Sequence, residues 1–249
     1  MFNKYANKMM NLTDFSKANI LNDQFLLYKK GKIEIYYAPH NEIFNEKAKI
    51  FIVGITPGFT QTCMAYKVAN ELLNKNTDYE KIKKECKRVS RFAGSMRKNL
   101  IEMLDDIKLN EKLKIDSCQE LFGDHDELLH TTSVIPYPVF INKKNYTGSS
   151  PKILEDIDLF KMVQKYFYQE VRKLPNAFYV PLGKSVEEVL KFMVDDGILK
   201  EEQCLFGFPH PSGANGHRIK QFNIQKENLI KKVNGYFENE KIISGEKDY

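Results

Sequence analysis

The sequence predicts an α/β fold in which a parallel or mixed sheet carries helices on both faces. Short apolar runs that stop at Gly or Pro recur along the chain, as is typical of buried strands. Between them lie longer segments whose apolar residues recur at helical spacing. Because strands and helices alternate without an internal repeat or a long linker, we expect one domain, residues 1–240, and a polar tail, residues 241–249.

The strands are predicted from apolar and β-branched runs. Residues 50–53, Ile-Phe-Ile-Val, form the clearest run, and Gly54 and Pro57 end it. A shorter run, residues 33–37, follows Gly31 and opens the chain with a hairpin-like element. The other strand predictions are residues 128–137, 177–182 and 204–209.

The helices are predicted from apolar spacing and capping residues. Residues 1–30 show only loose helical spacing. Ser95 is a candidate N-cap for a helix that continues to about residue 107. The other helix predictions cover residues 65–73, 154–171, 186–194 and 219–237.

Two strand-end loops carry the residue types that chemistry needs. The first loop, residues 54–61 (GITPGFTQ), contains Gly54 and Gly58, which let backbone approach a ligand closely. The second loop, residues 210–218 (HPSGANGHR), combines an imidazole, a serine and a basic end. In a doubly wound sheet both loops would lie at the same edge and face one cleft. The alternatives are an ordinary strand–helix turn and, for His210, a capped loop histidine.

Composition places the chain among intracellular proteins without a membrane span. Hydrophobic residues make up 42%, which supports a sizeable core, and the net charge is +5, which permits a nucleic-acid partner without demanding one. The four cysteines are scattered with no CxxC pair, so we expect no zinc or iron–sulfur site. Scattered single cysteines are typical of proteins in a reducing compartment. The first residues lack a signal-peptide core, so we expect a soluble cytoplasmic protein.

Residues 81–98 hold the densest charge, and their basic residues face only Glu85. A solvated helix face and a phosphate-facing surface for DNA are both open interpretations. The basic residues are Lys81, Lys83, Lys84, Lys87, Arg88, Arg91, Arg97 and Lys98.

Four motifs in order resemble the uracil-DNA glycosylase superfamily. Its first motif has the form G-x-(D, E or N)-P, and residues 54–58, GITPG, resemble it. Its second motif is H-P-S or N-P-S, as in residues 210–213, HPSG. Residues 92–94 with 129–138, and residues 180–184, look like its two middle segments. The resemblance spans about residues 48–235, most of the chain.

This resemblance implies a uracil-DNA glycosylase-like fold, an α/β three-layer sandwich with a four-stranded, mostly parallel sheet flanked by helices. It also implies a reaction, the hydrolysis of the N-glycosidic bond of a base flipped out of DNA. His210 stands where the family's histidine donates to the departing base. Thr56 stands where a polar residue positions the attacking water. A threonine is no anionic base at neutral pH, although its hydroxyl can hold a water, and this is the main departure from the family.

The resemblance also assigns pocket and DNA contacts. The base pocket would include Gly54, Ile55 and Gly58, an aromatic ring from Phe59 or Tyr66, and Ser133 or Thr132 at the edge of the base. For both aromatic residues, core packing is the alternative. Gly58 replaces the tyrosine of uracil-specific relatives and suggests space beside C5 of a pyrimidine. Expected DNA contacts are Ser95, Arg97, Lys184, Ser212, Gly213, Asn215, His217 and Arg218.

The sequence therefore predicts a monomeric DNA glycosylase without a cofactor or metal, acting on uracil or a C5-modified pyrimidine in repair or in defence against phage DNA. One alternative is a DNA-binding or damage-sensing module of the same fold with little or no catalysis. Another is a small-molecule enzyme that uses the two Gly-rich loops for a nucleotide phosphate. Ala214 is too small to fill the vacated base stack, which leaves Asn215, His217 or Arg218.

Overall fold

The computed structural model describes residues 1–244, about half of them helical. Internal contacts divide the chain into two compact units. The first unit comprises residues 1–44, 55–93 and 132–170, and the second comprises residues 45–54, 94–131 and the chain from Val171 onward. The predicted single domain stays a prediction. No helix among residues 1–244 combines the length and apolar character needed to span a bilayer.

The helices are α1 (Phe2–Met10), α2 (Lys17–Ile20), α3 (Phe59–Asn74), α4 (Tyr79–Ser90), α5 (Ser95–Asp106), α6 (Leu109–Leu113), α7 (Ile157–Lys173), α8 (Lys184–Asp195) and α9 (Arg218–Ser244). The strands are β1 (Leu26–Lys30), β2 (Ile33–Tyr36), β3 (Ile50–Gly54), β4 (Leu129–Ser133), β5 (Val139–Ile141), β6 (Lys144–Asn145) and β7 (Phe178–Pro181). Single 3₁₀ turns occur at Pro39–Asn41, Glu120–Phe122, Asp126–Leu128 and Glu201–Gln203.

The first unit is built on an antiparallel sheet in the order β1-β2-β5-β6. Gly31 makes the β1–β2 turn at φ +54°, a conformation that suits glycine. The strand predicted at residues 33–37 is confirmed as β2, but its partner β1 lies in the segment for which loose helical spacing was predicted. Helices α1, α3 and α4 belong to the same unit and share an aromatic core. Tyr5 stacks on Tyr37 at 4.1 Å between ring centroids, and Tyr66 meets Phe25 edge-on at 4.9 Å.

A small parallel sheet in the order β4-β3-β7, flanked by helices, confirms the α/β class. Strand β3 pairs with β7 in parallel from Ile50↔Phe178 to Val53↔Pro181. All five residues of β3 are buried, as its continuous apolar run predicts for the middle strand of a covered sheet. The carboxyl end of β3 opens directly into the first loop.

The prediction of a fourth parallel strand is wrong. Residues 204–209 contribute only one isolated parallel bridge, between Tyr179 and Cys204. Phe206 N–H turns back onto the carbonyl of Cys204 at 2.8 Å, and Gly207 adopts φ +98°, so the run cannot extend as a strand. The sheet therefore has three strands.

Two helix boundaries also differ from the predictions. Gly94, at φ +75°, holds the N-cap position of α5, and Ser95 is the first helical residue rather than the cap. Helix α9 continues to Ser244, so residues 241–244 of the predicted polar tail are helical. The rest of that tail, residues 245–249, lies outside the described residues.

Candidate functional site

Thr56 in the first loop is engaged by backbone on both sides of its hydroxyl. Its Oγ1 donates to the carbonyl of Tyr137 at 2.7 Å and accepts the N–H of Val139 at 3.1 Å. The carbonyl of the neighbouring Ile55 accepts the N–H of Ile135 at 3.2 Å. The only hydroxyl proton is therefore committed to the protein, and Thr56 acts as a clamp between the first loop and residues 135–139.

Gly58 is the N-cap of α3, and its conformation does not require glycine. Its φ is −80°, and a Cβ added there would have Asn145 Nδ2 as its nearest neighbour, at 3.9 Å. Its N–H donates to Gln61 Oε1 at 3.1 Å, while Asn145 Oδ1 accepts the N–H of Phe59 at 3.1 Å. The first turn of α3 is thus capped by two side-chain amides, and a side chain at position 58 would contact Asn145.

The two aromatic candidates for base stacking have different environments. Tyr66 is fully buried, and its hydroxyl donates to the carbonyl of Tyr37 at 2.8 Å, so its ring belongs to the core of the first unit. Phe59 is half-buried, with Lys17 Nζ 5.4 Å from its ring centroid. Phe59 is the candidate whose ring solvent or a ligand can reach.

The end of β4 carries the candidate readers of the base edge. Thr132 and Ser133 are 3% and 7% exposed, in a strand that is buried along its whole length despite its polar sequence. The Thr132 hydroxyl has no hydrogen-bond partner among the described residues. An unsatisfied buried hydroxyl costs roughly 1–3 kcal/mol, so it is suited to a polar ligand or a water.

The hydrogen bonding of His210 in the second loop selects one tautomer of the neutral ring. Its Nδ1 accepts the backbone N–H of Ser212 at 3.2 Å, so the neutral ring carries its proton on Nε2. Burial lowers the pKa of His210 below its ordinary value of 6.5, which disfavours the imidazolium form near neutral pH. His210 therefore presents a neutral Nε2–H donor.

The second loop is held in place by contacts within the second unit. A Cβ on Gly183, which adopts φ +87°, would lie 2.9 Å from His210 Cβ, so the β7–α8 turn needs glycine there for two reasons. Asn99 Nδ2 donates to the carbonyl of Pro211 at 2.8 Å, and Asn215 Nδ2 donates to that of His210 at 3.1 Å. The loop is thereby tied to α5 and to itself.

A cavity of about 410 Å³ lies beside the second loop. His210 and Asn215 line it together with Lys184, Phe208 and Ile224. Its wall is mainly apolar carbon, while the amide of Asn215 and the ammonium of Lys184 supply polar groups. A mostly apolar cavity with a few polar groups is the usual form of a small-ligand site.

Several predicted DNA contacts lie together in the second unit. Arg218 Nη1 donates to the carbonyl of Ser212 at 3.2 Å, and Ser95 Oγ lies 4.0 Å from the position of a Cβ on Gly213. His217 is exposed where α9 begins. The structure thus places the second loop at the N-termini of α5 and α9, whose free N–H groups favour anions.

Two further predicted contacts differ in setting. The side chain of Lys184 is 89% exposed, and its Nζ lies 3.9 Å from a Glu188 carboxylate oxygen. The guanidinium of Arg97 lies over the ring of Phe122 at 5.2 Å. Lys184 is therefore available to a phosphate, whereas Arg97 also has a packing role.

The basic run of residues 81–98 does not form one surface. Lys87 and Arg91 are buried, 6% and 7% exposed, so a phosphate-facing prediction is wrong for these two. They flank the core side of α4, where Ile82 and Cys86 are fully buried. Of the basic residues on α4, only Lys81, Lys84 and Arg88 are exposed, three and four residues apart along one helix face.

Sequence reasoning missed Asn41, Asn145 and the environment of Lys87. Lys87 Nζ donates to Asn41 Oδ1 at 2.7 Å, and Asn41 Nδ2 donates to the carbonyl of Pro136 at 2.9 Å. Single asparagines in irregular segments carry no local signal, because their partners are 46 and 95 residues away along the chain.

Comparison with known proteins gives one relationship. No protein-family model matches the chain, and no solved structure matches it. The uncharacterized protein YoxB of Bacillus subtilis (strain 168) is 43% identical over 225 residues, which cover 90% of this chain and 88% of YoxB. An identity of this level over nearly the whole of both proteins establishes common descent, so the chain belongs to the YoxB family.

Proposed function

We propose that this protein is a DNA glycosylase with a uracil-DNA glycosylase-like fold. It would hydrolyse the N-glycosidic bond of a flipped-out pyrimidine, either uracil or a C5-modified base, as a cytoplasmic monomer without a cofactor. The observation that carries the proposal is the hydrogen bond from Ser212 N–H to His210 Nδ1. It leaves His210 with Nε2–H as a hydrogen-bond donor, the type of group that a departing base anion requires.

The chemistry follows from charge development in the transition state. As the C1′–N bond breaks, the base takes the electron pair and becomes an anion, while the sugar acquires oxocarbenium character. A neutral Nε2–H that points at a base carbonyl stabilises this anion without transferring a proton in advance. Burial lowers the pKa of His210, so the ring is favoured in its neutral form and no imidazolium charge has to be desolvated.

Thr56 supports the reaction in a different way from the one its motif implies. Its hydroxyl is committed to Tyr137 and Val139, so we assign it a positioning role in the first loop. Catalysis would then depend on stabilising the leaving base more than on activating the water. We expect slow turnover compared with an enzyme that has a carboxylate at this position.

DNA binding is supported by the surroundings of the second loop. The N-termini of α5 and α9, the exposed Lys184 and the half-buried Arg218 provide donors and positive charge for phosphate groups. None of these contacts reads a base, so they would position the strand without sequence preference.

The second candidate is a DNA-binding or damage-sensing module of the same fold without catalysis. The double engagement of the Thr56 hydroxyl favours it, because the motif threonine is then not left to hold or activate a water. The retained Nε2–H donor of His210 favours the enzyme, since binding alone does not require a preorganised donor.

The deciding experiment measures base release from oligonucleotides that carry uracil or C5-modified pyrimidines, detected as alkaline strand cleavage. We expect release by the native protein and a loss of at least about 100-fold in His210→Ala, the scale of one transition-state donor. DNA affinity should hardly change. His125→Ala, an exposed histidine elsewhere in the second unit, is the matched control and should keep full activity.

Two results would contradict the enzyme proposal. Native protein that binds these oligonucleotides but releases no base would support the non-catalytic module. Full activity in His210→Ala would remove His210 from the mechanism.

A further inference from the structure

Residues 135–139, Ile-Pro-Tyr-Pro-Val, lead into β5, and only the last of them, Val139, belongs to a strand. Pro136 and Pro138 have no N–H to give to a neighbouring strand. Their carbonyls are nevertheless hydrogen-bonded: that of Pro138 accepts the N–H of Tyr36 at 3.1 Å, and that of Pro136 accepts Asn41 Nδ2 at 2.9 Å. The position of this segment is thus set by donors from elsewhere in the first unit.

The same segment holds the first loop. The carbonyl of Tyr137 and the N–H of Val139 bracket the Thr56 hydroxyl, and the N–H of Ile135 bonds the carbonyl of Ile55. A displacement of residues 135–139 therefore moves Ile55 and Thr56 with it. Because buried polar groups that lose their partners are costly, these bonds break together rather than singly.

The side-chain oxygen of Asn41 accepts a hydrogen bond from the buried amine of Lys87. Lys87 Nζ donates to Asn41 Oδ1 at 2.7 Å, and Lys87 is only 6% exposed. Donation to the amide oxygen fixes the orientation of the amide, since it places the oxygen toward Lys87 and the NH₂ toward Pro136. It also polarises the N–H that Pro136 accepts. The relay from Lys87 through Asn41 to Pro136 thus links a basic side chain to this segment through two hydrogen bonds.

We propose that Asn41, oriented by Lys87, is a positioning residue that fixes residues 135–139 and, through them, the Thr56 loop. The proposal rests on the proposed function in one respect: the segment begins two residues after Ser133, which with Thr132 is a candidate reader of the base. Asn41 touches neither substrate nor the reacting atoms, so its effect is on geometry. Lys87 acts one step further back, through the amide of Asn41.

The test uses Asn41→Asp, which keeps an oxygen for Lys87, removes the donor to Pro136 and adds a negative charge. We expect amide hydrogen exchange at Ile135 and Val139 to accelerate about tenfold, the scale of one hydrogen bond, with no change at Ile52 in the core strand. Single-turnover base release should slow about tenfold while the Kd for DNA stays constant. The matched control is Asn70→Asp, which also loses amide donors to backbone carbonyls, those of residues 9, 10 and 12.

A second variant covers the case in which Asn41→Asp fails to fold. Lys87→Met keeps the amide of Asn41 and removes the group that orients it, so exchange at Ile135 and Val139 should accelerate by a smaller factor, about threefold. Unchanged exchange at both residues in the folded variants would overturn the proposal. So would faster exchange without slower base release, since this would make Asn41 purely structural.

The two proposals fail in different ways. If the native protein releases no base from any substrate, the proposed glycosylase is wrong, and the exchange measurement still decides whether Asn41 positions the segment. If the native protein is active and Asn41→Asp is as fast as native, the positioning role is wrong and the glycosylase stands.

Discussion

The stability of the first unit should depend on pH through one buried lysine. Burial lowers the pKa of Lys87 from 10.5 to about 7, with Glu170 opposing this shift and Arg91 adding to it, and His40 lies close to its charge. The folded protein therefore releases a proton from Lys87 at a pH at which the unfolded chain still holds it. The unfolded state binds more protons between about pH 7 and 10.5, so stability rises with pH across this window.

The expected size follows from the two pKa values. One pKa unit corresponds to 1.36 kcal/mol. Since Lys87 is half-protonated in the fold at pH 7 and neutral there at pH 9, its contribution to the free energy of unfolding should increase by about 2 kcal/mol between these two values. Below pH 7 both states are charged and the full penalty of burial is present. Lys87→Met removes the titration and should remove this slope.

The assay is urea unfolding of native protein, Lys87→Met and Lys81→Met at half-unit steps from pH 6 to pH 9. Only differences between variants are compared, because other groups titrate in all three proteins. Lys81, on the exposed face of the same helix, is the matched control and should leave the native slope unchanged. Parallel curves for native protein and Lys87→Met would refute the reasoning, since they would show that Lys87 is charged in the fold throughout.

Two further predictions concern the pocket and the DNA surface. The Gly58→Tyr variant should fold, because φ at this position is −80° and the atom nearest to the new Cβ is Asn145 Nδ2, at 3.9 Å. In base-release assays on matched duplexes, the variant should prefer plain uracil over C5-substituted pyrimidines more strongly than the native protein does. Unchanged selectivity between these bases would contradict an open pocket beside C5. DNA affinity measured against salt should fall steeply, and Lys184→Ala and Arg218→Ala should each reduce the slope of log Kd on log salt by about 1; an affinity independent of salt would exclude phosphate contacts.

The elements that local pattern predicted best are those whose apolar period is unambiguous. The strand predicted at residues 177–182 is Phe178–Pro181, and the helix predicted at residues 186–194 is Lys184–Asp195. The run at residues 204–209 has the same apolar composition, yet it forms only a bridge. Its failure depends on the left-handed backbone of Gly207, which composition does not reveal.

The candidate site was predictable as a set of motifs but not as a set of contacts. His210 was identified because it begins the motif His-Pro-Ser-Gly, in which a histidine is followed by residues typical of a ligand-binding loop. The role of Thr56 depends on partners 81 and 83 residues away, which no local pattern encodes. Lys87 was included among the candidate phosphate-facing residues for a related reason. In the sequence alone, a lysine at the edge of a buried helix face cannot be distinguished from one on the solvent-exposed face.

The way the chain is shared between the two units has a consequence for dissecting the protein. The chain passes between them five times, at residues 44/45, 54/55, 93/94, 131/132 and 170/171. No single cleavage can release either unit as one continuous polypeptide, because each needs three separate stretches. A single crossover between two genes could not exchange one of these units as a whole. A fragment that ends near the middle of the chain would contain incomplete parts of both units. Each unit is therefore complete only in the whole chain.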